Sequence, residues 1–343
     1  MAMAIRVLVV DDSAFMRKMI TQILNSCDDI EVIGTARDGE DAIKKVEELK
    51  PDVVTLDVEM PKVDGLTALA YIMNKFPLPV VMLSALTGEG TKATVKALSY
   101  GAVDYIQKPS GTISLDIDKI KDEIINKVKL AATAKVRKLE LRERPKPRID
   151  FYLENEKVVV IGASTGGPQA LVEVLSSLPR NIPASILLVQ HMPKQFTKSF
   201  AERLNSLSEI EVKEAENEDE IIEGRALLAP GDYHMLVNSS KVILDDGPKI
   251  NSVRPAVDPT MISAAQSYGK NVVGVILTGM GNDGAYGIKI IKEKGGVTIA
   301  QDESTSVVFG MPKAAIATGC IDKVLPLHEI ANEIITILGG KAS

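Results

Sequence analysis

Two sets of residues in this sequence have the types and spacings to do chemistry. The first is acidic. Asp11 and Asp12 follow the run RVLVV (6–10), and Asp57 ends the run VVTLD (53–57). Ser84 lies in PVVMLSA (79–85), and Lys108 and Pro109 follow a short run near 103–106. Three carboxylates in one crevice repel one another unless a hard divalent cation sits among them, and Mg²⁺ favours such oxygen ligands. Lys108 adds a second positive group suited to a phosphoryl oxygen, to which Ser84 can also donate a hydrogen bond. Asp57 is then the nucleophile, because a carboxylate can form an acyl phosphate. A strand-end Asp can also merely cap the next helix, which would suffice for Asp11 alone but does not explain the whole set.

The second set is a serine with a histidine. Strand KVVVI runs into G-A-S-T-G-G (162–167), and Pro168 suits the first turn of a helix. The spacing Gly162-x-Ser164-x-Gly166 matches the strand–turn–helix elbow that exposes a nucleophilic serine. A Gly-rich strand–helix turn binds nucleotide phosphates equally often. The next strand discriminates. SILLVQ (185–190) ends in His191, where a dinucleotide-binding unit would carry Asp or Glu. The turn 162–167 after this first strand is not a G-x-G-x-x-G, and no Walker lysine follows Gly167. Serine and histidine at the ends of adjacent parallel strands can meet, so His191 can take the serine proton.

A third group must orient the imidazole. NVVGVIL (271–277) ends in T-G-M-G-N-D-G (278–284), which makes Asp283 the leading acid. Asp232, Asp258 and Asp302 compete, and Asp258 could simply start the helix of 259–267. Backbone amides near Thr165 and Met280 are the expected oxyanion donors. His234, in PGDYHM (230–235), reads first as a turn residue before a strand and second as a cleft residue. His328 reads as a surface residue, and Met192, Met235 and Met261 as packing.

These residues need parallel sheets to position them. Strands are predicted at 6–10, 30–34, 53–57, 79–85 and 103–106, alternating with helices from Met16 to Leu24, at 39–49, 65–75 and 91–100, and from near Leu115. A second alternation has strands at 158–162, 185–190, 226–229, 235–237, 242–244, 272–277 and 297–300. Its helices are predicted at 168–177, 196–206, 258–267, 284–294 and 312–317. The Asp/Glu/Gly-rich stretch 208–250 reads as hairpin insertions in a mainly parallel sheet. The expectation is an α/β protein with two doubly wound, mainly parallel domains, at 3–122 and 151–343. Between them, 123–150 is read as a helix fraying into a basic linker that contains Pro145 and Pro147.

Composition agrees with this division. A chain of 343 residues, 45% apolar and 25% charged, is long enough for two cores. A net charge of −6 argues against a protein that coats nucleic acid. Cys27 and Cys320 alone exclude a disulfide framework and a Cys-rich zinc site, and suit a reducing cytosol. No stretch approaches the ~20 apolar residues of a membrane span, and no secretory signal stands at the start. The expected location is cytoplasmic.

Residues 5–122 resemble the receiver domain of two-component signalling. The resemblance rests on DDS (11–13), LDVEMP (56–61), DGL (64–66), LSA (83–85) and DYIQKP (104–109). It implies phosphorylation of Asp57 by a histidine kinase. It also implies Mg²⁺ held by Asp12, Asp57 and the Glu59 carbonyl with Asp11 in support, and Tyr105 as a rotating switch aromatic beside Ser84 and Lys108.

GASTGGP (162–168), QHMP (190–193), LTGMGNDGA (277–285) and GMPKAA (310–315) resemble the catalytic domain of the chemotaxis protein-glutamate methylesterase family, CheB. This resemblance implies a triad of Ser164, His191 and Asp283, with Met280 in the oxyanion hole. It implies γ-glutamyl methyl esters on chemoreceptor cytoplasmic helices as substrates, and deamidation of receptor glutamines as a second reaction. No cofactor is implied for the ester chemistry, and an unphosphorylated receiver is implied to inhibit it. Two other classes stand beside this one. One is a response regulator whose second domain binds a nucleotide or partner without chemistry. The other is a transcriptional regulator, against which the acidic charge and the lack of an all-α tail argue.

Overall fold

The computed structural model describes residues 4–85, 88–108, 117–136, 149–151 and 157–342. The chain divides into two compact units, Met1–Leu141 and Arg142–Ser343. Pro109 and the expected linker from 137 to 148, with Pro145 and Pro147, lie outside the described residues.

The first unit alternates strand and helix: β1 (Ile5–Val10), α1 (Ala14–Asn25), β2 (Ile30–Ala36), α2 (Gly39–Leu49), β3 (Val53–Asp57), α3 (Gly65–Lys75), β4 (Val80–Ser84), α4 (Gly88–Ser99), β5 (Asp104–Gln107) and α5 (Ile117–Ala132). All five strands are parallel, in the order β2-β1-β3-β4-β5. Residues of β3 and β4 are buried on both faces, which is why these strands read as continuous apolar runs. Ser13, Asp38 and Asp64 cap α1, α2 and α3 through their side chains, so the polar residues after each strand also start each helix. The strand order reverses between β1 and β3, which opens a crevice at their carboxyl ends. α5 packs on α1, β3, β4 and β5, so the expected boundary at 122 falls inside a helix of the first unit.

The second unit begins with β6 (Ile149–Phe151), inside the stretch expected as linker. It continues with β7 (Lys157–Ala163), α6 (Gly167–Ser176), β8 (Ala184–Gln190), α7 (Lys194–Leu207), β9 (Glu211–Glu214) and β10 (Arg225–Leu228). Then come β11 (His234–Asn238), β12 (Lys241–Asp245), α8 (Val257–Tyr268), β13 (Val272–Ile276), α9 (Ala285–Glu293) and β14 (Val297–Gln301). The unit ends with α10 (Met311–Ala317), β15 (Lys323–Leu325), α11 (Leu327–Ile337) and β16 (Gly340–Ala342).

Seven parallel strands run in the order β15-β14-β13-β7-β8-β10-β9. The expectation of hairpin insertions over 208–250 holds only for β11 and β12, an antiparallel pair outside the main sheet. β9 and β10 instead extend that sheet in parallel. The charged composition of β9 is that of a short strand at a sheet edge, while β10 is apolar and buried between β8 and β9. The sequence reading did not anticipate β15, nor the antiparallel pairing of β6 with β16.

Val257, Met261, Ala264 and Ala265 of α8 join the core formed with Met235, Val237 and Val242 of the hairpin and Ile276 and Ile288. The start of α8 also presses on the end of β7. A Cβ at Gly162 would lie 2.5 Å from Val257 Cγ1, so only glycine lets strand and helix meet there. Gly162→Ala is therefore expected to destabilise the second unit by about 1–3 kcal/mol through overpacking, read as a lower urea midpoint with the slope unchanged.

Candidate functional site

In the first unit, Asp11 follows β1, Asp57 ends β3 and Lys108 follows β5. The topology brings all three together. Lys108 Nζ lies 2.8 Å from Asp11 Oδ2 and 2.6 Å from Asp57 Oδ2. Both carboxylates are buried, and Asp12 is exposed beside them. No other described donor reaches Asp11 Oδ2 or Asp57 Oδ2. The other oxygens accept backbone N–H groups: Asp11 Oδ1 from Ser13, and Asp57 Oδ1 from Glu59.

Burial pushes the Asp57 carboxyl up to about 6, against the Lys108 ammonium that favours its charged form. Burial alone would lower Lys108, but the two carboxylates raise it above its ordinary value. Carboxylate oxygens of Asp11, Asp12 and Asp57 come within 4.8 Å of one another. A buried oxygen set served by one cation suits a hard divalent ion, so the residues fit Mg²⁺.

Ser84 is buried at the end of β4. Its hydroxyl accepts from Thr94 Oγ1 at 2.6 Å and lies 3.2 Å from the Ala85 carbonyl it donates to. Thr94 went unnoticed in the sequence because it occupies an ordinary helical position. Tyr105 is buried in β5, with Lys127 Nζ 4.8 Å from its ring centroid. Burial, then the Asp104 and Glu123 charges, push its hydroxyl up.

In the second unit the site lies at the carboxyl edge where β7 is flanked by β8 and β13. Ser164 follows β7 and His191 follows β8, and the strands are in register up to Ala163 and Gln190. His191 N–H donates to the Ala163 carbonyl at 3.2 Å. Asp283, after β13, is buried and accepts from His191 Nε2 at 2.7 Å. A carboxylate can only accept, so the ring proton sits on Nε2 and Nδ1 carries the free lone pair. The structure thus joins His191 to Asp283. The half-buried Ser164 hydroxyl forms no hydrogen bond to the ring.

Asp283 also accepts from the start of α8: Oδ2 from Val257 N at 2.6 Å and Oδ1 from Asp258 N at 3.1 Å. Burial would raise the Asp283 carboxyl, but His191 and these two donors hold it below its ordinary value. Asp258, the competing acid, faces the other way and accepts from Gly287 N in α9 at 2.7 Å. The acid at the start of α8 caps α9, and the acid before α9 caps α8. Burial, with the Asp283 charge adding to it, pushes Asp258 up to about 6 against the Gly287 donor. Asp232 is exposed, and Asp302 accepts from Ser304 and Thr305 in its own turn.

The N–H groups of Thr165 and Met280 donate to no described residue, and the Met280 side chain is exposed. Three further residues shape the site, and sequence reasoning missed their roles. Thr278 Oγ1 donates to the Thr165 and Val308 carbonyls and accepts from Val308 N, tying three loops together. Gln190 Nε2 donates to the carbonyls of Ser164 and His191. A Cβ at Gly279 would lie 2.8 Å from Ser164 Cβ and 2.4 Å from Met311 Sδ, so glycine is needed for the loop to approach Ser164. The Gly-rich loop was the only signal in the sequence that pointed to any of them.

Fold and sites together define a two-unit α/β protein in which a receiver unit is joined to a hydrolase unit. The CheB methylesterase family model matches residues 159–334, and the response regulator receiver domain model matches residues 7–117. A protein-glutamate methylesterase/protein-glutamine glutaminase of Pyrococcus abyssi is 54% identical, over 96% of this chain and 93% of that protein. One of the same description from Archaeoglobus fulgidus is 51% identical, over 98% of this chain and 99% of that protein. The crystal structure of the Thermotoga maritima CheB methylesterase catalytic domain has 50% sequence identity and a TM-score of 0.52, and covers 53% of this chain and 99% of that one.

The chain belongs to the CheB methylesterase family. It is a hydrolase that carries a receiver domain, which sets aside the reading of a second domain without chemistry. Among the described residues no helix is long and apolar enough to cross a membrane.

Gly279→Ala is expected to lower ester turnover at least tenfold in the purified full chain and, by the same overpacking as at Gly162, to lower its melting temperature by several degrees. Asp258→Asn keeps an acceptor for Gly287 N–H and removes a buried charge. Because the folded carboxyl lies at about 6, above the ordinary 3.8, the native chain gains relative stability as pH falls through that interval. The Asn variant is therefore expected to be more stable at pH 7, by roughly 2 kcal/mol, and to lose that advantage by about pH 4 in urea titrations.

Proposed function

We propose that this protein is a phosphorylation-activated protein-glutamate methylesterase acting on chemoreceptors, with glutamine deamidation as a second reaction. The observation that carries the reading is the 2.7 Å bond from His191 Nε2 to Asp283 Oδ2, beside the serine elbow at the end of β7.

Ser164 Oγ attacks the γ-carbonyl carbon, and its proton passes to His191 Nδ1. Asp283 holds the ring and balances the imidazolium charge. The N–H groups of Thr165 and Met280 receive the oxyanion. The C–O bond to the methoxy group breaks, and the leaving group takes the proton from His191 and departs as methanol. Water then attacks the acyl-serine, giving its proton to Nδ1, and collapse returns Ser164 and a glutamate side chain. With a glutamine substrate the same sequence releases ammonia.

In the receiver unit, Asp57 accepts a phosphoryl group from a histidine kinase's phosphohistidine. The P–N bond breaks as the Asp57 acyl phosphate forms. Asp11, Asp12 and Asp57, with the Glu59 carbonyl, would hold Mg²⁺, which when bound neutralises the crowded oxygens. Lys108, already shared between Asp11 and Asp57, follows the new charge. Ser84 exchanges its bond to Thr94 for one to the phosphoryl group, Tyr105 changes position, and the altered surface raises turnover in the hydrolase unit.

The test is methanol release from methylated chemoreceptor membranes, with and without a small-molecule phosphodonor and Mg²⁺. The native chain is expected to release methanol, and faster with the donor. Ser164→Ala should lose at least about 10³-fold in rate, and Asp57→Asn should lose the stimulation. Native turnover in Ser164→Ala overturns the mechanism. Full stimulation in Asp57→Asn overturns the switch.

A further inference from the structure

We infer that His234 is a positioning residue for the hydrolase reaction, acting on Asp283 through the first turn of α8. The inference rests on the Ser164–His191–Asp283 reading and deepens it. His234 lies at the start of β11, is 2% exposed, and has its ring hydrogen bonds with Pro248 and Ala256 rather than with His191 or Asp283.

Its bonds define its tautomer. Ala256 N–H donates to Nδ1 at 3.2 Å, so Nδ1 carries a lone pair. Nε2 lies 3.0 Å from the Pro248 carbonyl, which can only accept, so the ring proton is on Nε2. The ring links the loop before α8 to the first residue of the hairpin.

The accounting of the helix start gives this link its consequence. A helix leaves the N–H groups of its cap and first three residues without partners inside the helix. In α8 these belong to Ala256, Val257, Asp258 and Pro259, and Ala256 supplies no side-chain cap. Proline has no N–H to satisfy. The Val257 and Asp258 N–H groups both go to Asp283. The remaining one, from Ala256, goes to His234 Nδ1. One ring and one carboxylate therefore divide the whole donor set. The His234 acceptor sets the tilt of the Ala256 peptide, and the next two peptides aim at Asp283. Losing that acceptor leaves a buried N–H free to seek another partner, and the turn that holds Asp283 rotates with it.

The test uses the full chain in the methanol-release assay, with melting temperatures recorded for each variant. His234→Asn keeps an acceptor near the position of Nδ1. His234→Gln reaches toward Pro248 but offers no acceptor to Ala256. The expected result is a kcat at least tenfold below native for His234→Gln with KM unchanged, and a kcat within about threefold of native for His234→Asn. In the Asp283→Asn background, His234→Gln is expected to add less than twofold, because the group it positions is already lost.

A folded His234→Gln with native kcat, or equal losses in the Gln and Asn variants, overturns the inference. So does a full tenfold further loss in the double variant. Native kcat in Asp283→Asn overturns the underlying mechanism. A slow Asp283→Asn beside a native-rate His234→Gln overturns the positioning role alone.

Discussion

The Asp283 carboxylate sits in a buried place where an isolated charge would be unstable, and the hydrolase site depends on how that charge is kept. Three donors meet it: the His191 ring and two backbone N–H groups at the start of α8. The helix terminus contributes aligned dipoles as well as hydrogen bonds. The carboxylate thereby stays ionised without a lysine or arginine beside it. A permanent cation there would compete with the imidazolium that the proposed reaction forms. The helix start serves as a counter-charge that costs no extra side chain and leaves room for the ring.

The receiver unit meets a related difficulty in the opposite way. Asp11 and Asp57 are both buried, and a side-chain cation, the Lys108 ammonium, lies between them. Burial still wins at Asp57, whose carboxyl is pushed up to about 6. The contrast fits the two tasks proposed for them. A carboxylate that orients a ring benefits from fixed donors. A carboxylate that gains and loses a phosphoryl group benefits from a neighbour that can move with the charge. Both arrangements sit at the carboxyl edge of a parallel sheet, where the loops from several strands converge.

Much of this was legible along the chain. The buried strands β1, β3, β4, β7, β8 and β13 announce themselves as β-branched runs, and the residues at or just after their ends are the candidate site residues. The residue types alone separated a serine–histidine site from a nucleotide fold, because His191 stands where a ribose-binding acid would be. The edge of the second sheet was harder. β9 and β10 are only four residues each and β9 is charged, and parallel pairing leaves no mark on such short strands, so a hairpin reading was natural. The roles of Thr278 and Gln190 were also hidden, since a polar residue near a strand end looks the same whether it binds substrate or ties loops together.

The positions of the buried strands along the chain, the glycines at the turns, and the types of Ser164, His191, Asp57 and Lys108 as candidate reactive residues follow from sequence, because they depend on local periodicity and side-chain chemistry. The contact that joins an acid to the ring does not. Asp283 led in the sequence because it lies in a Gly-rich loop after a strand, with Asp258 as a competitor that could also simply start a helix. Tertiary structure decides between them by crossing their roles, with each acid capping the other's helix and only Asp283 reaching the His191 ring. That outcome depends on how α8 and α9 pack against β7 and β13. A hydrogen bond between residues 92 positions apart is a property of that packing, with no local signal to announce it.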